Sequence, residues 1–382
     1  MPIVSIQEIL KRSTPAGGGA SVIEMQFSTH RFYSHITRFA VFAFLLAMVS
    51  PARSQDNAPD TLGILGVEVP ATTPVENAIE APTTVLNTPL ASVPDDMVLR
   101  SPLDVAIESI FGEASADNWR PLSFGTFLTE GWNEPFVFTP RSTSGAPRQG
   151  WINSFDGVMY RLWFNAFGYH QNVAKNGNSF YSDWSVFIPL NRRLDIRLDV
   201  PYVNSNKGGP QNKYITQFGD LNLTARFLLA EDRDTSVIAV ASTSMPTGNV
   251  QTGGGSTQLG YGLQFWHAMR DRWVVRGGAN VVVPVGSYPT GLRTNGNINM
   301  AIGKYITEPG TPIFGDLVLY TAANLITSLD NNGPNNTFFC LTPGYRAEIT
   351  DNWYHLAGVE IPMVGGPSYY TYGLQFWILK VF

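Results

Sequence analysis

The sequence is short of cysteine, of charge and of long apolar stretches. Its 382 residues include one cysteine, Cys340, which excludes an intramolecular disulfide framework, a CxxC redox pair and a cysteine-built zinc site. Only 14% of the residues are charged and the formal net charge is −5, so nothing indicates the basic surface that binds nucleic acid. No run of about 18 apolar residues occurs, which excludes a helical integral membrane protein. Soluble, peripheral and β-barrel membrane proteins remain.

An export signal is the first feature along the chain. Phe39–Val49 is an uncharged run of 11 apolar residues preceded by arginines, and the small residues of Ala52–Ser54 suit cleavage directly afterwards. A helix of that length reaches only about half way across a bilayer, which argues against a membrane anchor. The pattern therefore predicts a cleaved signal peptide over residues 1–54, with Met25 as an alternative start.

The next segment is acidic. Residues 55–117 hold 11 Asp or Glu side chains against one Arg, a net charge of −10, and are rich in Pro, Thr and Ala. This composition cannot bury enough apolar surface to fold, so we expect a disordered linker. One stretch within it, Val98–Phe111, has the apolar spacing of a short amphipathic helix. We expect that helix to be either an idle stub or a docking element.

From Phe155 onward the hydrophobic period is two residues. Leu194–Val200 alternates apolar and charged residues throughout, and Leu221–Phe227 and Leu259–Phe265 repeat the alternation. Such segments are strands with one apolar and one polar face. The pattern predicts twelve strands: Gly157–Tyr169, Ser179–Leu190, Arg193–Val203, Phe218–Leu229, Ser236–Met245, Thr257–Ala268, Trp273–Val285, Gly296–Thr307, Phe314–Ser328, Thr337–Ile349, Trp353–Val364 and Tyr370–Phe382.

The connections between these strands alternate in length. Five are short and charged or turn-like: Asn191–Arg192, Glu231–Asp234, Arg270–Arg272, Glu308–Pro312 and Asp351–Asn352. The others are rich in Gly, Asn and Pro, and all but the last are longer: Gln171–Asn178, Asn204–Gln217, Thr247–Ser256, Gly286–Asn295, Asn331–Asn336 and Gly365–Tyr369. Short turns on one side, long loops on the other and an even strand number are typical of outer-membrane barrels. We therefore expect an all-β, antiparallel transmembrane barrel over residues 155–382.

The polar faces of the strands supply the candidate functional residues. With the apolar face toward lipid, eight charged side chains fall on the inner register and are candidate pore-lining groups: Asp195, Arg197, Asp199, Arg226, Arg276, Arg346, Glu348 and Glu360. The alternative is an ion-pair network that fills the interior, because a barrel of this size is compatible with either. The alternation also fits a secreted soluble β-protein, but aromatic residues near the strand ends favour the girdles of a membrane barrel.

The last predicted strand ends the chain on an aromatic residue. Phe376, Ile378 and Phe382 share one face, which Lys380 interrupts. A terminal aromatic residue on an amphipathic strand resembles the signal that the barrel assembly machinery reads. The expected partners are therefore outer-membrane lipids, that machinery and a small solute, with no nucleic acid.

Residues 118–154 are too aromatic for a free linker, since they include Trp119, Trp132 and Trp151. We expect them to form a plug in the barrel or a packed periplasmic segment under its mouth. Deletion of a plug should raise conductance.

Side chains suited to catalysis or metal binding are sparse. The histidines beyond the leader are His170, His267 and His355, and no serine stands two positions from any of them on a strand face. Because a serine nucleophile needs its base within hydrogen-bond reach, an outer-membrane hydrolase is the weaker alternative. No carboxylate-rich loop repeats with calcium spacing, and Gly253–Gly255 lacks the lysine of a phosphate-binding loop. We expect no enzyme activity, no metal and no cofactor.

Three short motifs carry a family resemblance. Gly219–Phe227 reads GDLNLTARF, Met245–Gly248 reads MPTG and Leu259–Leu263 reads LGYGL. In this order they resemble the outer-membrane transporters assigned to the meta-pathway of phenol degradation, over about Phe155–Phe382. The resemblance implies a medium-sized outer-membrane barrel that passes small hydrophobic or aromatic compounds. The part before the barrel resembles secreted proteins of planctomycete-type bacteria and implies no function.

The sequence thus predicts an exported outer-membrane barrel that works as a passive channel for small solutes. Two alternatives stay open. One is a non-conducting structural or adhesion barrel whose long loops carry out its function, and the other is the barrel hydrolase.

Overall fold

The computed structural model describes residues 100–175, 177–208, 213–249, 252–285, 293–330, 337–365 and 369–382. The predicted signal peptide and the acidic linker up to residue 99 lie outside the described residues. Among the described helices, none combines the length and the apolar character needed to span a bilayer.

Thirteen strands, one α-helix and three 3₁₀ turns make up the regular structure of the described residues. The strands are β1 (Leu162–His170), β2 (Ser179–Pro189), β3 (Leu194–Gly208), β4 (Lys213–Gln217), β5 (Leu221–Glu231), β6 (Thr235–Met245), β7 (Thr257–Ala268), β8 (Trp273–Val285), β9 (Asn295–Tyr305), β10 (Gly315–Ser328), β11 (Thr337–Thr350), β12 (Trp353–Val364) and β13 (Gly373–Val381). The helix α1 spans Pro102–Phe111, and the 3₁₀ turns span Ala116–Asn118, Val173–Lys175 and Arg270–Arg272.

Twelve of these strands form one closed antiparallel barrel, which confirms the predicted fold class. Neighbours in the barrel are neighbours in the chain, and β13 closes the sheet by pairing with β1 from Leu162–Val381 to His170–Gly373. β4 is an additional strand that pairs with the extended end of β3, from Asn204–Gln217 to Gly208–Lys213.

Each predicted strand corresponds to one barrel strand, and the two largest differences are local. β4 lies in the stretch Asn204–Gln217, which was predicted to be a loop, because β3 continues beyond the barrel and pairs with it. The first strand was predicted to begin at Gly157 but begins at Leu162. The preceding backbone leaves the sheet because it bonds inside the barrel, where the Arg226 guanidinium donates to the Val158 carbonyl at 2.5 Å.

The two ends of the barrel differ in connection length as predicted, with one exception. One end, called the turn end below, carries four connections of two to four residues, 190–193, 232–234, 269–272 and 351–352, but also the nine-residue connection 306–314, which was predicted to be a short turn. The other, called the loop end, carries connections of eight residues or more. Phe382 also lies at the turn end, where its backbone N–H donates to the Arg161 carbonyl at 3.1 Å.

The outer surface of the barrel is apolar. The inner surface carries charged and amide side chains together with a buried cluster of aromatic and aliphatic side chains, among them Phe164, Phe187, Trp266 and Leu356. Along β9 the exposed fraction is 1% at Asn299, 43% at Met300, 3% at Ala301 and 48% at Ile302. Other large apolar side chains exposed on the strands include Phe167, Leu223, Tyr261, Val281, Leu319, Val359, Ile361, Leu374 and Phe376. A protein in water buries most of such a surface, so this polarity fits a lipid environment.

An aromatic belt lies on the outer surface near the turn end. Trp163 packs edge-on against Trp353 with ring centroids 5.7 Å apart. The Lys380 ammonium lies 5.3 Å from the Trp353 ring centroid, and the Lys304 ammonium lies 5.5 Å from that of Trp273. Tryptophan with lysine is typical of the boundary between lipid and water.

Candidate functional site

The eight predicted pore-lining residues lie on the inner register, and most are buried. Five are at most 2% exposed: Asp195, Arg226, Arg276, Arg346 and Glu360. Arg197 and Asp199 are partly buried and form an ion pair at 2.8 Å. Glu348 lies at the turn end, where it accepts a hydrogen bond from the Asn352 backbone N–H at 3.3 Å. Most of these charges therefore contact protein rather than a wide aqueous channel.

The burial arises because the chain preceding β1 enters the barrel. Residues 146–160, called the lumen segment below, run among the inward-facing side chains without forming helix or strand. Trp151 is 1% exposed and stacks on Tyr320, with ring centroids 4.9 Å apart and planes 9° apart. The Tyr320 hydroxyl accepts the Ile152 backbone N–H at 2.9 Å. The segment thus occupies the centre of the barrel at this level.

Arg276 of β8 makes the largest set of bonds to the lumen segment. Its Nε donates to the Phe155 carbonyl at 2.8 Å, one terminal nitrogen donates to the Gln149 carbonyl, and the other reaches the Asp156 carbonyl at 2.6 Å. The Asp156 carboxylate completes the set as an ion pair at 2.9 Å. The guanidinium also lies 5.2 Å from the Trp151 ring centroid. Because Arg276 is fully buried, these bonds replace all of its hydration.

Two further arginines hold the segment on either side. Arg346 of β11 donates to the Gly150 carbonyl at 3.0 Å. Arg226 of β5 donates to the Val158 carbonyl at 2.5 Å and pairs with Asp195 of β3 at 2.8 Å. Arginines on three strands therefore bind backbone carbonyls of a segment that has no helix or β-sheet hydrogen bonds of its own.

A second polar cluster fixes the lumen segment toward the loop end. The buried Glu360 carboxylate accepts hydrogen bonds from the Asn153 and Gln375 side-chain amides and from the Tyr370 hydroxyl. His170 Nε2 lies 3.0 Å from the same carboxylate. We call these five residues the Glu360 cluster. It joins the lumen segment to the ends of β1 and β12, to β13 and to Tyr370 before β13.

A third cluster anchors the chain that leads into the barrel at the turn end. Glu231, the last residue of β5, accepts hydrogen bonds from Trp119 at 2.8 Å and Thr139 at 2.7 Å. Its carboxylate also pairs with Arg148 at 2.6 Å and Arg192 at 3.3 Å, and these three charged side chains are at most 3% exposed.

The histidines are placed in three different environments, and none forms a serine–histidine pair within the described chain. His170 belongs to the Glu360 cluster, His267 Nδ1 lies 3.0 Å from the Thr235 hydroxyl, and His355 Nδ1 lies 3.2 Å from the Tyr345 hydroxyl. The described residues also contain no group of three side chains able to hold a metal ion. Cys340 is a buried free thiol.

Several residues of the site carry no signal that sequence reasoning detects. Asn153 and Asp156 stand in an aperiodic stretch, and Glu231 was taken only as part of a short turn. His170 was singled out as a histidine but without a role. The one available signal was the aromatic content around Trp151, which indicated a packed segment without indicating its contacts.

No protein-family model and no curated protein matches the sequence. Several solved structures of similar shape are outer-membrane barrels. The outer membrane channel from Pseudomonas putida F1 is 12% identical, with 59% of this chain and 96% of that chain covered and a TM-score of 0.45. The KdgM porin is 7% identical, with 58% and 99% covered and a TM-score of 0.39. The outer membrane phospholipase A from Escherichia coli is 12% identical, with 61% and 95% covered and a TM-score of 0.33. A likeness this remote does not extend to residues, solutes or activity.

Proposed function

We propose that the chain is an outer-membrane barrel that passes small solutes, with the lumen segment as its gate. The observation that carries the proposal is the inverted polarity of the barrel. Charged and amide side chains face inward, while Met300, Ile302 and their counterparts on other strands face outward. Inside a bilayer this arrangement places apolar surface against lipid and polar surface around a lumen.

The filling of the lumen by a separate segment supports a gate rather than a solid barrel. The segment is held by hydrogen bonds, ion pairs and stacking, all of which are reversible. The inner wall is also shaped to receive it: a Cβ added to Gly303 would lie 2.8 Å from the Trp151 ring. When the segment moves out, Arg276, Arg346 and Glu360 would become the lining of an aqueous path, in the role that the sequence predicts for them.

The non-conducting structural barrel is the second candidate, and one observation favours it. The Arg226–Asp195 pair and the Arg276 guanidinium are buried, and Trp151 stacks on Tyr320. Such a network stiffens an interior, and its partial disruption is costly because unpaired buried charges remain. In that case the seated segment would be permanent, and the long loops would carry the function.

The solute class and the route of assembly belong to the same proposal. Small hydrophobic or aromatic compounds are the proposed solutes, supported by the resemblance to transporters of the phenol pathway. The proposed export route ends with the barrel assembly machinery, and its support is the exposed apolar outer face of β13, which carries Leu374 and Phe376. No catalytic step is part of the proposal.

A reversible cross-link tests the gate. Asn153 of the lumen segment donates to the Thr342 hydroxyl of β11 at 3.1 Å, so cysteines at both positions would lie side by side. The pair Asn153→Cys and Thr342→Cys is introduced with Cys340→Ser, and each single-cysteine variant serves as a control. We expect planar-bilayer conductance in the reduced protein and its loss on oxidation, with no redox effect in the controls.

The remaining outcomes decide between the candidates. Equal conductance before and after oxidation would show that solutes bypass the lumen segment, which contradicts the gate. No conductance in either redox state, from protein shown to be folded, would favour the structural barrel.

A further inference from the structure

We propose that α1 and the neighbouring turn 123–130 form a lipid-binding rim, which rests on the periplasmic leaflet of the outer membrane beside the barrel. This inference depends on the proposed placement of the barrel in that membrane. It adds a membrane contact made by chain outside the barrel.

Local sequence explains why α1 forms. Ser101 is the N-cap, and its hydroxyl accepts the Asp104 backbone N–H at 3.2 Å. Pro102 follows at the first helical position, where no amide hydrogen is required. The helix ends as the Gly112 N–H donates to the Glu108 carbonyl at 2.7 Å. These caps position a ten-residue helix.

Three large apolar side chains of α1 point away from the protein, while Ala106 and Ile110 are partly buried. The buried residues of the helix are Val105 and Ser109. Leu103, Ile107 and Phe111 are instead 67%, 49% and 81% exposed. At about 100° per residue these two sets lie on opposite sides of the helix. A surface helix normally turns its large apolar side chains toward the core, so the exposure of these three is unusual.

Arg161 holds α1 at the edge of the proposed membrane region. Its guanidinium donates to the carbonyls of Ser109 at 3.2 Å and Gly112 at 2.7 Å, and also to that of Phe382 at 3.1 Å. Trp163, a member of the aromatic belt, follows two residues later in the chain. Two residues of a strand span about 7 Å, so the attached end of α1 lies close to the level where the belt marks the lipid–water boundary.

A second exposed apolar group lies on the same rim. Phe124 is 69% exposed and Leu128 is 84% exposed. The turn that carries them is fastened to the β2–β3 connection, because Arg193 donates to the carbonyls of Ser123 at 3.2 Å and Glu130 at 2.9 Å. α1 contacts β2, so both apolar groups lie near adjoining strands at the turn end.

Lipid is the occupant that the observations favour. Arg161 ties the C-terminal end of α1 to chain that lies two residues before Trp163 of the aromatic belt, so one leaflet could cover the rim, the belt and the apolar outer surface of the barrel. The helix has polar Asp104 and Glu108 beside its apolar stripe, an arrangement that suits a helix lying in an interface. Its modest length fits an element that is already tethered to a membrane protein and needs no affinity of its own.

Spin labels on the full mature chain in liposomes test this proposal. Cysteines replace Leu103, Ile107 or Leu128, each together with Cys340→Ser. Met300→Cys is the control for lipid on the barrel surface, and Glu113→Cys, just beyond the helix, is the control for water. Accessibility to oxygen, which concentrates in lipid, is compared with accessibility to a nickel chelate, which stays in water. We expect the three rim labels to favour oxygen several-fold, as Met300→Cys does, and Glu113→Cys to favour nickel.

Other results would overturn the inference in distinguishable ways. Rim labels that favour nickel while Met300→Cys favours oxygen would place the rim in water and leave the barrel proposal intact. Rim labels closed to both reagents would show that protein covers the rim. If Met300→Cys itself favoured nickel, the membrane placement of the barrel would fail as well.

Discussion

Replacing Arg276 by methionine should release the lumen segment. The guanidinium is fully buried and bonds three backbone carbonyls, at Gln149, Phe155 and Asp156, together with the Asp156 carboxylate. Methionine keeps a comparable volume of side chain but supplies no donor. While the lumen segment lies inside the barrel, the three carbonyls and the Asp156 carboxylate then have no donor from position 276. When the segment is displaced, water can satisfy them.

The size of the effect follows from that difference. Removing one partner of a buried, hydrogen-bonded charge pair costs about 3–5 kcal/mol. This cost destabilises the state in which the lumen segment lies inside the barrel, because water can bond the acceptors once the segment is displaced. At about 1.4 kcal/mol for each tenfold change, even the lower figure shifts the ratio of seated to displaced segment by about 100-fold.

Single-channel recording measures this shift as open probability. Arg193→Met is the matched control, because Arg193 is equally buried and bonds the carbonyls of Glu130 and Leu228, outside the lumen segment. We expect both variants to lose stability and only Arg276→Met to open more often. If folded Arg276→Met had the same open probability as the unaltered chain, Arg276 would not be the main contact that keeps the lumen segment in the barrel.

Three further predictions concern the interior and its anchor. Trp151→Ala removes a stacked, enclosed ring and should lower the free energy of unfolding by about 3–5 kcal/mol, read as an earlier loss of the compact band on heating. Asp195→Asn leaves the Arg226 guanidinium without its counter-charge and should cost about 3–5 kcal/mol, whereas adding Arg226→Met should recover part of the loss in thermal unfolding. Glu231→Gln removes the charge shared by two buried arginines and should make residues 112–145 more sensitive to limited proteolysis while the barrel persists.

Each of these has a contrary result. Unchanged heat stability of Trp151→Ala would mean that the ring is not packed in the lumen. Strict additivity of the Asp195 and Arg226 substitutions would mean that the two side chains do not interact. An unaltered proteolysis pattern for Glu231→Gln would show that other contacts hold the turn-end chain in place.

The barrel could be predicted because its strands repeat apolar and polar side chains with a period of two residues. A strand in a membrane barrel must alternate lipid-facing and lumen-facing side chains, and Leu194–Val200 shows that alternation residue by residue. Charged short turns and glycine-rich loops then supplied the order of the strands. The same alternation placed Asp195, Arg226 and Arg276 on the inner face, where the structure has them.

The contents of the lumen could not be predicted, because nothing periodic describes them. Asn153 and Asp156 act through backbone and side-chain bonds to residues more than a hundred positions away, such as Arg276 and Glu360. Pattern reasoning left an open pore and a filled interior as equal alternatives, and contacts at this sequence distance are needed to separate them. β4 was missed because pairing beyond the barrel depends on how far β3 extends.

Which side of α1 is exposed could not be predicted from the sequence. Its apolar spacing was visible in Val98–Phe111, and α1 forms over Pro102–Phe111. Sequence pattern usually implies that the apolar face packs inward. Here Leu103, Ile107 and Phe111 are exposed, while Val105 and Ser109 are the buried residues. Which side of a helix is free depends on tertiary contacts.

Gel migration with and without heating shows whether this chain is a closed barrel in the outer membrane. The mature chain is taken from isolated outer membranes and run in detergent before and after boiling. A closed barrel should migrate as a faster band before boiling and shift on boiling to the position expected for the unfolded chain. A single band at one position, recovered in the soluble fraction, would contradict this prediction and would turn the proposed lumen charges into buried ion pairs of a secreted β-protein.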